Sequence, residues 1–148
     1  MFDADLWEDI LDKLYEIVSD IPDFKNKVFQ GDRYPPENYP CAFIVPSVLT
    51  AKPITFSEDE WFYAYEIGVG IQGDDPLKNM KEAFRLANKI VETLESDRHL
   101  TIKDEDSMLN RALVHDTHSI RVEPDWRRHN KGLETFWVGV TIVCQKKQ

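Results

Sequence analysis

The sequence predicts an α+β fold, with a mixed or mainly antiparallel sheet and two main helices packed on one of its faces. Three observations carry that expectation. Apolar residues recur at three- and four-residue spacing in two segments, near the N-terminus and again after Pro76. Between them, Trp61, Tyr63, Tyr65, Ile67, Val69 and Ile71 occupy every second position, the period of a strand. Strand-like runs follow the second helix as well, and strand groups separated by single helices fit a sheet with its helices on one side.

The elements follow in order. Phe2, Leu6, Ile10, Leu14 and Ile17 or Val18 trace a helix, widened by Leu11 and Tyr15. Asp3 or Asp5 lies near its start, and Ile21-Pro22 ends it. Lys27 to Gln30 reads as a short strand before the Gly31-Asp32 turn, and the prolines of Arg33 to Pro40 make that stretch a loop. Ala42 to Leu49 is rich in strand formers, but Pro46 has no N–H, so the strand is an edge or is broken there. Thr50 to Asp59 is a polar connection or the arm of a long hairpin. Glu60 to Gln72 is the long alternating strand, and Gly68 and Gly70 on its thin face call for a close neighbour.

Asp74 or Asp75 caps the second helix, with Pro76 in its first turn. Leu77, Met80, Phe84, Ala87, Val91 and Leu94 are its expected buried stripe, with Ala83 and Ile90 beside it, and Ser96-Asp97 ends it. Leu100 to Ile102 reads as a brief strand, and Lys103 to Ser107 as acidic and solvated. Ala112 to Val122 is expected to alternate through Val114, His118, Ile120 and Val122. Glu134 to Gln145 places Phe136, Val138, Val140, Ile142 and Cys144 on one face. The charged stretch between them, with Gly132 near its end, suits an antiparallel hairpin.

The length of 148 residues fits one domain, residues 1–148. Such a chain buries roughly 70% of the surface that its unfolded form exposes, and needs no covalent staple. A net charge of −9 argues against a general nucleic-acid binder, which carries a basic footprint. An acidic surface instead repels phosphate and lets a duplex pass. Cys41 and Cys144 form no CxxC and read as reduced thiols. The acidic N-terminus lacks a secretory pattern, and no apolar run reaches the length of a membrane span.

Few residues carry chemistry. His115-Asp116-Thr117-His118 offers two imidazoles and a carboxylate, but positions 115 and 118 point to opposite faces of a strand, so zinc would need a bulge there. Gly68, Gly70 and Gly73 spell GxGxxG within and just after a strand, outside the turn that a dinucleotide requires. The acidic runs 58–60 and 104–106 read as solvated. No nucleophile motif is present, and no catalytic residue, cofactor or metal is expected. Trp126, Arg127, Arg128 and Lys131 form the basic cluster of an acidic chain. Such a cluster anchors an interface or touches a phosphate backbone, or it is a solvated hairpin tip with Trp126 folded back. Trp61 and its aromatic neighbours place rings on both faces of one strand, which fits burial on both sides or a face turned to another subunit.

The order of parts resembles the tail-terminator, or tail-completion, proteins of long-tailed bacteriophages. The likeness rests on the helix with Leu6-Trp7-Glu8-Asp9-Ile10-Leu11 and the strand Pro40-Cys41-Ala42-Phe43-Ile44-Val45. It continues through Tyr63 to Ile71, the helix pattern Ala83, Ala87, Ile90, Leu94, then Asp97 and Leu100, and the last strand Trp137-Val138-Gly139-Val140-Thr141-Ile142-Val143-Cys144. Longer linkers at Arg33 to Tyr39 and Glu123 to Leu133 depart from the family's short ones. The resemblance implies a structural virion protein, assembled in the host cytoplasm, that forms a homo-oligomeric ring, usually a hexamer. The ring ends tail-tube growth and joins the tube to the head connector, and DNA passes through its lumen without specific binding. Its partners would be itself, the tube protein and the connector protein, with no membrane. Contact segments would be the 50–60 arm, the 123–132 loop and Lys146-Lys147, with Trp61, Trp126, Arg127, Arg128 and Lys131 as interface residues. A head–tail connector or neck subunit, and a non-viral adaptor domain, are the competing readings.

Overall fold

A computed structural model gives the fold and describes residues 1–31, 38–103, 109–125 and 134–147. Helix α1 (Ala4–Ser19) is followed by a 3₁₀ turn (Pro22–Phe24), β1 (Val28–Gln30), β2 (Cys41–Pro53), β3 (Asp59–Gln72) and α2 (Pro76–Ser96). Then come β4 (Thr101–Lys103), β5 (Asn110–Ala112), β6 (Asp116–Pro124) and β7 (Thr135–Lys147). The main sheet has the order β1-β2-β3-β7-β6, and β4 and β5 form a separate pair. β1 runs parallel to β2 and every other main pairing is antiparallel, so the sheet is mixed and the fold is α+β.

Caps form where carboxylates precede the helices. Asp3 accepts from Leu6 N at 3.0 Å, and Asp75 accepts from Leu77 N and Lys78 N. Pro76 opens α2, where its missing N–H costs nothing. α1 buries Leu6, Ile10, Leu14, Ile17 and Val18. At about 1.5–3 kcal/mol per large apolar side chain, this docking outweighs the marginal stability of an isolated helix of its length.

Both helices pack on the face formed by the odd positions of β3. Tyr63, Tyr65, Ile67, Val69 and Ile71 share one core with α1, α2, and Val138, Val140 and Ile142 of β7. The two tyrosines also hold α1 by its backbone. Tyr63 Oη accepts from Asp3 N at 3.0 Å, and Tyr65 Oη donates to Trp7 O at 2.7 Å. The other face carries a smaller cluster of Cys41, Phe43 and Trp137, with Phe29 and Tyr39 beside it. Trp137 stacks on Phe43 at 5.5 Å and lies over Gly70, its partner in the ladder. A Cβ at Gly70 would sit 2.5 Å from the indole, which is the close neighbour expected of this glycine.

Two expectations change, and one open alternative is settled. The buried arc of α2 runs through Asn79, Ala83, Leu86, Ala87, Ile90 and Leu94, while Leu77, Met80 and Phe84 are exposed and Val91 is half-buried. Asn79 is drawn inward because its amide donates to Gly73 O at 2.8 Å and Glu134 O at 3.3 Å, tying the helix start to the ends of β3 and β7. The segment from Ala112 to Val122 is also not one alternating strand. β5 ends at Ala112, Leu113 and Val114 are both buried in the bend that follows, and β6 has a bulge between Thr117 and Ser119. The strand read over Ala42 to Leu49 runs on to Pro53, so Thr50 to Pro53 is the arm of a hairpin. Pro46 falls at a register shift against β3, on a stretch of β2 that β1 does not cover. The expectation for Lys103 to Ser107 lies outside the described residues beyond Lys103.

Candidate assembly interface

β2 sets the geometry of one side of the molecule. β1 pairs only with Ala42 to Ile44, while β3 accompanies β2 as far as Pro53. Beyond Ile44, the outer edge of β2 therefore has no strand beside it among the described residues. Such an edge is a template for another chain. The hairpin closes with Ile54 N and Thr55 N donating to Glu58 O. Val48, Ile54 and Phe56 project from this arm, with Phe56 fully exposed. β6 is the last strand at the other side of the sheet.

Of the residues expected at an interface, Trp61 is described and Trp126, Arg127, Arg128 and Lys131 lie outside the described residues. Trp61 sits at the base of the arm and is half-buried against its own core, with the Phe2 ring edge-on at 5.9 Å. Its Nε1 is buried without a hydrogen-bond partner among the described residues. Sequence reasoning named the 50–60 arm. It missed Leu77, Met80, Phe84 and Val122 as exposed apolar residues, because it assigned them to buried stripes.

The segment from His115 to His118 is placed by its backbone and by its neighbours. His115 N donates to Gln145 O, Thr117 exchanges hydrogen bonds with Arg98, and the His118 ring packs edge-on against Phe62 at 5.4 Å. Among the described residues, no group of three or more His, Cys, Asp or Glu side chains is placed to hold a metal ion. Gly68 and Gly70 lie inside β3, and the indole of Trp137 fills the space above Gly70. Cys41 and Cys144 are free and buried, one in the smaller back-face cluster and one in the main core. Burial pushes the Cys144 thiol up to about 12, and it pushes the Tyr65 phenol well above its ordinary value.

A cleft of about 460 Å³ lies where β3 turns into α2, lined by Tyr39, Pro40, Gly73, Asp75, Lys78 and Glu82 among others. At the same corner, the Glu134 carboxyl shares a hydrogen bond with Asp74, donating to it when protonated, and this raises Glu134 above its ordinary value. On the α1 side of α2, Asp23 accepts from Lys89 Nζ at 2.8 Å and from Arg85 at 3.2 Å, and Arg85 also binds Glu82. These cations hold the Asp23 and Glu82 carboxyls below their ordinary values. Among the described residues, no helix is long and apolar enough to cross a membrane. Set against known proteins, the chain matches no family model and no curated sequence.

Proposed function

We propose that this protein is a structural virion subunit, a tail terminator that assembles as a ring, ends growth of the tail tube and joins it to the head connector. The observation that carries the assembly part of this reading is the edge of β2 from Val45 to Pro53, which no other strand among the described residues covers. A bare edge of that length invites pairing between copies, and a monomer would blunt it. The tail role rests on the resemblance in the order of parts. The charge of −9 supports a lumen that DNA crosses without sticking.

The test is the solution mass by light scattering, with negative-stain images taken with and without a candidate tail tube. Closed rings, or rings capping tube ends, support the reading. A protein that stays monomeric and never caps a tube overturns it. Charge reversal at both Arg127 and Arg128 is expected to weaken assembly with a partner and leave the fold intact; an unchanged assembly yield would count against a role for the 123–132 loop. A neck or connector subunit would form similar rings, and the partner that is capped, tube or connector, separates the two.

A further inference from the structure

The cleft of about 460 Å³ between the end of β3 and the start of α2 is large enough for a small ligand. Its polar groups are unevenly spent. The Asn79 amide nitrogen donates twice, to Gly73 O at 2.8 Å and to Glu134 O at 3.3 Å. Asn79 is only 6% exposed, and its Oδ1 receives no hydrogen bond among the described residues. That atom lies over Gly73 on the cleft wall, 2.7 Å from where a Cβ would stand. An amide oxygen can only accept, so whatever meets it there must donate.

The charged groups favour the same kind of ligand. Asp74 lines the cleft, is exposed and makes no ion pair among the described residues. It shares a hydrogen bond with Glu134 only while one of the two is protonated, so at neutral pH two like charges stand side by side. Asp75 spends Oδ1 on capping α2 and keeps Oδ2. Glu82 is the carboxylate already satisfied, by Arg85. Lys78 is the one cation among the lining residues, and its ammonium pairs with none of these carboxylates among the described residues. Ile71 and Pro40 supply apolar wall, and Tyr39, edge-on to Trp137 at 6.1 Å, supplies an aromatic one. Among the described residues, no group of three or more His, Cys, Asp or Glu side chains is placed to hold a metal ion, and a metal ion has no use for apolar wall. An alkyl chain with a cationic head suits both parts. Its carbon covers the apolar side, and its head donates to Asn79 Oδ1, neutralises Asp74 and lies near an aromatic ring.

We propose that the β3–α2 cleft binds an organic cation, an alkylammonium or guanidinium group, with Asn79 Oδ1 and Asp74 as its acceptors and Tyr39 as its aromatic wall. The group belongs either to a free amine or to a basic side chain of a partner. This site goes beyond the ring reading and does not depend on it. The cation takes the place of the proton that Asp74 and Glu134 share in acid, so binding strengthens as pH rises and that proton leaves.

The test is isothermal titration of the full chain at neutral pH and physiological salt with two probes, 1,4-diaminobutane and N-acetylarginine methylamide. Saturable one-to-one binding tighter than about 1 mM is expected for at least one of them. Binding of the diamine alone assigns a free amine, and binding of the arginine probe alone assigns a partner's side chain. Asp74→Asn, at an exposed position and checked for an unaltered melt, should weaken binding about tenfold through the loss of one close charge. Lys78→Gln should tighten it, because a competing cation leaves the cleft, while Lys52→Gln on the arm should leave it unchanged. Equal effects of the two lysine changes would mean that only the general acidic field attracts the probes, and would overturn the site. So would the absence of saturable binding by either probe, equal binding by Asp74→Asn, or magnesium chloride binding as tightly as the organic cations.

Discussion

Gly70 and Trp137 face each other across β3 and β7, and the indole occupies the volume where a Cβ would stand. Replacing a strand glycine by alanine ordinarily gains about 0.5–1 kcal/mol, because the unfolded chain loses freedom. Forcing a methyl group into a filled site costs about 1–3 kcal/mol. The contact at 2.5 Å makes the second effect win, since Trp137 is fully buried and held by Phe43 and Tyr39. Gly70→Ala should therefore lower stability by about 1–2 kcal/mol net in chemical denaturation. In a Trp137→Leu background the same change should cost much less, and equal costs in both backgrounds would refute the steric account. Tyr65 tests a different physics. Its hydroxyl donates to Trp7 O, so Tyr65→Phe removes one hydrogen bond at nearly constant volume and should cost about 1 kcal/mol. A neutral effect would mean that the phenol does not hold α1.

Two carboxyl sites around α2 answer to pH in opposite senses. Lys89 and Arg85 hold the Asp23 carboxyl below its ordinary 3.8. Its contribution is therefore present above that value and is lost as pH falls through the lowered one. Glu134 is raised above its ordinary 4.5 by Asp74, so its shared proton stabilises at low pH and that help is lost as pH rises through the raised value. Thermal midpoints from about pH 3 to about pH 7 should show Asp23→Asn flattening the acid limb and lowering the midpoint at neutral pH. Glu134→Gln should do neither, and should match or exceed the wild type at neutral pH. The reverse ordering would mean that the pairs do not form. Much of this level was legible in the sequence. The period-two run of β3 and the capping carboxylates Asp3 and Asp75 placed the main elements. The orientation of α2 was not, because its apolar arc is wider than its buried arc. The helix seats on the small residues Ala83 and Ala87 and turns polar Asn79 inward, leaving Leu77, Met80 and Phe84 outside. A helical period gives the existence of a stripe, and only the sheet decides which part of it is covered. The bend at Leu113-Val114 was hidden for a similar reason, since burying two successive side chains needs a break in the strand. The 50–60 segment offered an arm from its polar, proline-containing sequence, but not the length of its pairing, which runs out to Pro53 against Asp59.

At the scale of the whole molecule, net charge disfavours binding to DNA. The chain carries 27 acidic and 18 basic side chains, for a net charge of −9. Binding to a duplex draws its free energy chiefly from counterions released when cations neutralise phosphates. A protein with this balance gains little of it outside the local cluster Arg127-Arg128-Lys131. A ring of such subunits would also concentrate their acidic field in the lumen, where low-dielectric walls focus it. In the proposed ring, such a wall would let a duplex pass without adhering. The protein should therefore show no binding to random double-stranded DNA at low salt, where attraction would be strongest because screening is least. Anisotropy of a labelled duplex at about 0.01 M salt is the measurement, since the Debye length there is about 30 Å and any net attraction would be felt across a lumen. A rise in anisotropy that disappears on charge reversal at Arg127 and Arg128 would place a phosphate contact in the 123–132 loop and remove the passive-channel account. Unchanged anisotropy would leave the acidic field dominant over that basic cluster.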